Sequence, residues 1–263
     1  MKSKDILKEI LAKKKERIAL AKLGMPEEDL KARVEGLPPA RPFIEAINKP
    51  RQISLIAEIK KASPSQGVIR EDFHHIEITK AYQDAGVQAI SVLTEEDFFA
   101  GNIAYINGVK NLTTVPILRK DFILEPYQIY ESRFYGADAI LLIATLLTQE
   151  EITQFSALAA ELGMDILVEV HNEKELKKVL KLKGISLIGI NNRDLRTLEV
   201  DSKTVEKLFP LVPKDKVVVV ESGIKTAQDV LFLKILGINA ILVGTAFMEA
   251  PDIKKSVEGL MGW

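Results

Sequence analysis

The chain has 263 residues, 47% of them apolar, enough to bury a sizeable core, which excludes a wholly disordered protein. Its 36 Lys and Arg against 37 Asp and Glu leave a net charge of −1, so nothing in the overall charge points to nucleic acid. The absence of Cys excludes disulfides, thiolate zinc sites and a cysteine nucleophile, and three histidines (His74, His75 and His171) argue against a multi-histidine metal site.

Residues 1–48 come first. Ile6, Leu7, Ile10 and Leu11 alternate with Lys8, Glu9, Lys13, Lys14 and Lys15, the pattern of an amphipathic helix rather than of a signal peptide. The basic run 13–17 is interrupted by Glu16 and carries no aromatics, so it reads as a solvated helix face. One long helix, a Pro-rich turn (Leu37-Pro38-Pro39-Ala40-Arg41-Pro42) and a short helix around Phe43–Ile47 are expected, forming an extension packed on the rest of the chain. No apolar run approaches the roughly 20 residues of a membrane helix, so a cytoplasmic protein without membrane contact is expected.

From residue 54 onward a phrase recurs: a glycine, two residues, then an apolar run. It appears as Gly86-Val-Gln-Ala-Ile, Gly136-Ala-Asp-Ala-Ile, Gly163-Met-Asp-Ile-Leu, Gly184-Ile-Ser-Leu-Ile and Gly237-Ile-Asn-Ala-Ile. The glycine suits a left-handed helix cap and the run suits a strand buried on both faces. Eight strands are expected at about 54–61, 89–95, 116–122, 139–147, 165–171, 187–193, 217–222 and 240–246. Helical segments separate them, with start signals at Thr148-Gln-Glu-Glu151 and at Asn172 with Glu175. Strict βα alternation in eight units predicts an α/β fold, a (β/α)8 TIM barrel with an N-terminal helical extension, occupying residues 1–263 as one domain. A doubly wound open sheet is the alternative, but no Gly-x-Gly-x-x-Gly follows the first strand.

Chemistry in such a barrel belongs at the C-terminal strand ends. Residues two apart share a face, so Glu58 and Lys60 point one way while Leu55, Ala57 and Ile59 point to the helices. Lys120, Glu169, Asn191 and Glu221 stand at the ends of four further strands. A single buried charge is an ordinary structural ion pair, but six polar groups converging on one mouth make an acid–base cluster that needs no metal or cofactor. Glu221-Ser222-Gly223-Ile224 and Val243-Gly244-Thr245-Ala246 close the seventh and eighth strands, where such barrels bind phosphate. Gly244→Val is therefore expected to raise KM strongly, whereas a bulky residue at Gly108, in a helix segment, is not. Phe99, Phe122 and Leu141 suit an apolar wall, although Leu141 alone reads as core. His171 reads as a loop or capping residue, and nothing makes His74 or His75 a site.

The segments Ile56-Ala-Glu-Ile-Lys-Lys-Ala-Ser-Pro-Ser65, Leu93-Thr-Glu-Glu96 with Phe99, Lys120-Asp-Phe122, Leu167-Val-Glu169, Gly189-Ile-Asn-Asn-Arg-Asp-Leu195 and Glu221-Ser-Gly-Ile224 together resemble the indole-3-glycerol phosphate synthase family. That resemblance spans nearly the whole chain. It implies a carboxy-lyase of tryptophan biosynthesis that converts 1-(2-carboxyphenylamino)-1-deoxyribulose 5-phosphate to indole-3-glycerol phosphate, carbon dioxide and water. It also implies roles: Lys120 as the general acid of ring closure, Glu169 and Glu58 as catalytic carboxylates, Lys60 as the partner of Glu58, and Asn191 and Glu221 as the remaining polar groups. Ser63, Arg193, Ser222, Gly223, Gly244 and Thr245 would contact substrate or its phosphate, and Phe99, Phe122 and Leu141 would hold the anthranilate ring. The partner would be a small anionic phosphorylated substrate, the chain a monomer, with no two-enzyme fusion. Rival readings are a class I aldolase with Lys120 or Lys60 as Schiff-base nucleophile, a sugar-phosphate isomerase, and a non-catalytic phosphate-ligand binder.

Overall fold

The computed structural model describes residues 6–263, so residues 1–5 of the expected extension lie outside the described residues. Among the described residues eight strands close a barrel: β1 (Ser54–Ile59), β2 (Ala89–Leu93), β3 (Ile117–Lys120), β4 (Ala139–Ile143), β5 (Asp165–Val170), β6 (Leu187–Asn191), β7 (Val217–Glu221) and β8 (Ala240–Val243). Each pairs in parallel with its neighbours in chain order, and β1 pairs with β8 to complete the ring. The open-sheet alternative is thereby excluded.

All eight strands start within one residue of their expected positions but stop one to four residues earlier. β4 shows the reason: its last ladder partner is Ile143, opposite Glu169, and the chain then turns, so the apolar Leu146 and Leu147 pack in the loop rather than extend the strand. Side chains divide as the period-2 pattern requires. Leu55, Ala57 and Ile59 join the outer core under the helices, whereas Ile56 joins Leu118, Leu141, Leu167 and Val219 inside the barrel. Gly136 (φ 96°) and Gly237 (φ 100°) end their helices in the left-handed conformation, and each releases the chain directly into the next strand.

The extension differs from expectation in one element. The long helix α1 (Ile6–Gly24) stops before Pro26, and a second helix, α2 (Glu27–Val34), follows it before α3 (Phe43–Ile47). Only Leu30 and Val34 of α2 are buried in a charged segment, which hides it from a pattern search. The extension runs the height of the barrel. On α1, Leu7 and Ile10 belong to the same buried cluster as Phe122 and Leu141, and at the bottom Phe43 and Ile47 of α3 are fully buried. There the backbone N–H of Ile44 donates to Asp165, the first residue of β5, at 2.9 Å.

The basic run on α1 is not simply a solvated face. Lys14 is 3% exposed and lies 2.9 Å from both Asp121 and Glu96, while Arg17 pairs with Asp97 at 2.7 Å. Its partners follow β2 and β3, so the run clamps α1 to two loops of the mouth. No described helix is long and apolar enough to cross a membrane.

Candidate active site

The site begins at β1, whose end carries an ion pair: Lys60 Nζ stands 3.0 Å from Glu58 Oε1. Across the barrel, Lys120 at the end of β3 reaches two carboxylates at once, Glu169 Oε2 of β5 at 3.2 Å and Glu221 Oε2 of β7 at 3.3 Å. Strand register sets Asn191 opposite Glu221, and Glu169 opposite Gly189, two residues before Asn191. Asn191 accepts the backbone N–H of Arg193 at 2.9 Å, and Arg193 donates to the carbonyl of Leu198 at 2.7 Å.

Burial divides the two carboxylates. It opposes ionisation of both, but Lys120 and His171 outweigh it at Glu169 and hold that carboxyl well below the usual range. At Glu221 burial prevails over Lys120, helped by the charges of Glu169 and Glu58, and pushes the carboxyl up to about 8. Burial opposes the charge on Lys120 too, yet Glu169, Glu221 and Glu58 raise its pKa above the ordinary lysine value. At neutral pH the set therefore reads as an ammonium, a carboxylate and a carboxylic acid in contact. Glu169 Oε1 and Glu221 Oε1 are buried and make no hydrogen bond among the described residues.

The apolar wall lies beside this cluster. The Phe99 and Phe122 rings are tilted at 46° with centroids 6.3 Å apart, and both pack with Leu141, which is also interior core. Phe99 is fixed by the fully buried Glu95, whose Oε2 accepts the N–H groups of Phe98 (2.8 Å) and Phe99 (3.0 Å). Ser63 lies in a small ribbon after β1, with Oγ 3.4 Å from that of Ser65, and makes no contact with the charged cluster.

The turns after β7 and β8 differ in kind from each other. Ser222 (φ 66°) is left-handed, a conformation that costs a non-glycine residue roughly 1–2 kcal/mol and recurs at ligand sites. Gly223 follows it, and a Cβ there would meet Val200 at 2.8 Å. Gly244 instead backs onto the acid–base cluster: a Cβ would stand 2.7 Å from Glu58 Oε1. Thr245 opens a short helix (Thr245–Met248), only four residues long. At Gly108 a Cβ would stand 2.7 Å from Nε2 of His75, which stacks on Tyr105, so a side chain there requires that half-buried ring to shift.

His171 is the residue that the sequence pattern undervalues. It follows β5 as expected, but its ring is buried, with Nε2 3.0 Å from Glu169 Oε1 and Nδ1 3.1 Å from Glu175 Oε2. The Nε2 contact is an ion pair without hydrogen-bond alignment. The available signal is the two-residue spacing from Glu169, which puts both on one face of the strand. Gly189 is unremarked within its motif, yet a Cβ there would collide with Glu221. A recess of about 380 Å³ borders the site at His171, while one of about 430 Å³ near Arg70 and Asp252 contains none of the acid–base residues.

The family model for indole-3-glycerol phosphate synthase matches residues 7–260. The indole-3-glycerol phosphate synthase of Caldanaerobacter subterraneus subsp. tengcongensis is 49% identical over 98% of this chain and 99% of its own length. That of Acetivibrio thermocellus is 48% identical over 96% and 97%. Solved structures add the fold alone. A 3-hexulose-6-phosphate synthase superposes with a TM-score of 0.63 at 14% identity, covering 80% of this chain and 99% of that one. A mutant tryptophan synthase alpha-subunit of Pyrococcus furiosus does so at 0.61 and 17%, covering 80% and 98%. With nearly every residue from β1 to the last helix (Ile253–Met261) inside the family match and close to half of them identical in full-length relatives, the chain belongs to the indole-3-glycerol phosphate synthase family.

Proposed function

We propose that Lys120, Glu169, Glu58, Lys60, Asn191 and Glu221 carry out the carboxy-lyase reaction of this family on 1-(2-carboxyphenylamino)-1-deoxyribulose 5-phosphate. The observation that carries this reading is Lys120 Nζ held 3.2 and 3.3 Å from two buried carboxylates at the barrel mouth. The substrate is anionic at both ends, which suits Lys60, Lys120 and Arg193, with Ser63 and the turns Ser222-Gly223 and Gly244-Thr245 taking substrate and phosphate oxygens. Its aromatic ring lies against Phe99, Phe122 and Leu141.

The chemistry runs in three steps. The ring carbon that bears the carboxylate attacks the ketone carbon, a C–C bond forms, and negative charge develops on the ketone oxygen. The Lys120 ammonium stabilises that charge and delivers a proton to it. The bond between ring and carboxylate then breaks, carbon dioxide leaves, and its electron pair restores the aromatic ring. Finally an acid protonates the new hydroxyl, which leaves as water, while a base takes a proton from the adjacent nitrogen-bearing carbon and the C=C bond of the five-membered ring forms. The Glu58–Lys60 pair and Glu169 supply that exchange, with Asn191 and Glu221 holding the reacting oxygens.

A Schiff-base aldolase needs a neutral amine, and the carboxylates around Lys120 keep it protonated. We take residues 1–263 to act as one unit, a cytoplasmic monomer with residues 1–48 as its extension. Incubation with the substrate in the presence of cyanoborohydride, which reduces an iminium but spares a ketone, tests the reading. Indole fluorescence should appear at an undiminished rate, whereas irreversible inactivation by cyanoborohydride with substrate would support the aldolase.

A further inference from the structure

We propose that His171 is a positioning residue: clamped by Glu175 and Thr145, it holds the Glu169 carboxylate in place against Lys120. The clamp is built from several bonds. Glu175 Oε2 accepts the backbone N–H of His171 at 2.8 Å and faces its Nδ1 at 3.1 Å. Glu175 Oε1 accepts Thr145 Oγ1 and Asn172 Nδ2, each at 2.8 Å, and Thr145 Oγ1 is also 3.2 Å from His171 Nδ1. With the carboxylate pinned on both oxygens, the ring cannot rotate without stranding buried donors. Its Nε2 edge then faces Glu169 Oε1, while Lys120 occupies Glu169 Oε2. Glu169 thus sits between two cations, whereas among the described residues Glu221 pairs with Lys120 alone.

Charges reach this ring from every side. Glu169 comes from β5, Glu175 from the helix Glu173–Val179, and Lys174, Lys178, Asp194 and Arg196 line the adjoining recess. Lys120, Glu221 and Glu58 act on it through Glu169. Burial opposes protonation of the ring, but Glu169 and Glu175 raise it to about 10, so it is an imidazolium throughout the neutral range. A residue that merely capped that helix would need only its backbone N–H and would leave its ring free of Glu169.

Two measurements test this. The chain has three histidines, so NMR can follow the His171 ring through pH in the wild type and in Glu169→Gln. Coupling is reciprocal, so removing the Glu169 charge should lower the ring's midpoint by at least about one pH unit; an unmoved midpoint overturns the proposal. This arm needs no turnover and stands apart from the reaction assigned above. The kinetic arm rests on that assignment. In His171→Gln the acid limb of kcat/KM should move to higher pH by at least about one unit, with kcat down about tenfold and KM little changed. A folded variant with wild-type limb and kcat overturns it; loss of turnover in the wild type itself would instead sink the reaction assigned.

Discussion

Gly189 and Glu221 occupy one another's space: a Cβ on Gly189 would stand 2.6 Å from Glu221 Oε1 and 3.3 Å from the Leu167 side chain. The glycine is thus what lets Glu221 lie beneath Lys120 at 3.3 Å. Gly189→Ala should displace that carboxylate and lower kcat about tenfold, with a fall in Tm, since overpacking costs about 1–3 kcal/mol. Steady-state kinetics and thermal melts on one preparation check both effects.

Gly244 behaves similarly toward Glu58. A Cβ would meet Glu58 Oε1 at 2.7 Å and its Cβ at 2.9 Å, and the latter cannot swing away. Gly244→Val should therefore raise KM and also lower kcat, by at least about tenfold each, as the turn proposed to take phosphate and the Glu58–Lys60 pair shift together. Gly259 on the last helix has nothing within 4 Å of its would-be Cβ and provides the control. Gly259→Val should leave both constants within about twofold.

Stability contributed by two groups, Glu221 and His171, should fall as pH rises from about 4 to 10. Glu221, pushed up by burial to about 8, stabilises fully below its ordinary value of about 4 and loses that contribution as pH rises through 8. His171, raised to about 10 by Glu169 and Glu175 against burial, stabilises fully below about 6.5 and loses this as pH rises through 10. Glu169 has the opposite sign and matters only as pH falls below about 4. Melts across this range should show the decline, and Glu221→Gln should flatten the part between about pH 4 and 8.

Lys14 ties the extension to the mouth. Removing one partner of a buried pair costs about 3–5 kcal/mol. Arg119 still holds Asp121 at 3.0 Å, so Lys14→Met should cost about 3 kcal/mol in urea unfolding, the low end of that range. Because Asp121 lies between Lys120 and Phe122, KM should rise as well. Deleting residues 1–48 removes the buried Phe43 and Ile47 and should unfold the barrel. Deleting 1–25 spares them and should leave a folded barrel with weakened substrate affinity, checked by circular dichroism and kinetics.

The barrel was legible because its signals are local. A glycine cap before each of five apolar runs marks where strands start, and period-2 alternation separates Leu55 and Ile59 from Glu58. The pairing of Glu58 with Lys60 follows from the same rule. What escaped depends on three-dimensional proximity. His75 and Gly108 are 33 positions apart, and no pattern says that the ring fills the space beside the glycine. Lys14 looks like any lysine of a solvated face until Asp121 and Glu96 arrive from loops about 100 positions away. His171 is legible as a strand-end residue, but its burial against Glu169 depends on Glu175 and Thr145, which come from two other elements.

The most direct test is turnover by Lys120→Met, followed by indole fluorescence beside the wild type. If Lys120 delivers the proton at ring closure, kcat should fall at least about 100-fold, because a positioned acid typically contributes about 10²–10⁴-fold. Substrate affinity should change far less, since the phosphate turns and the Phe99–Phe122 wall remain. A folded Lys120→Met protein with near-normal kcat would contradict the assignment of Lys120 as the acid.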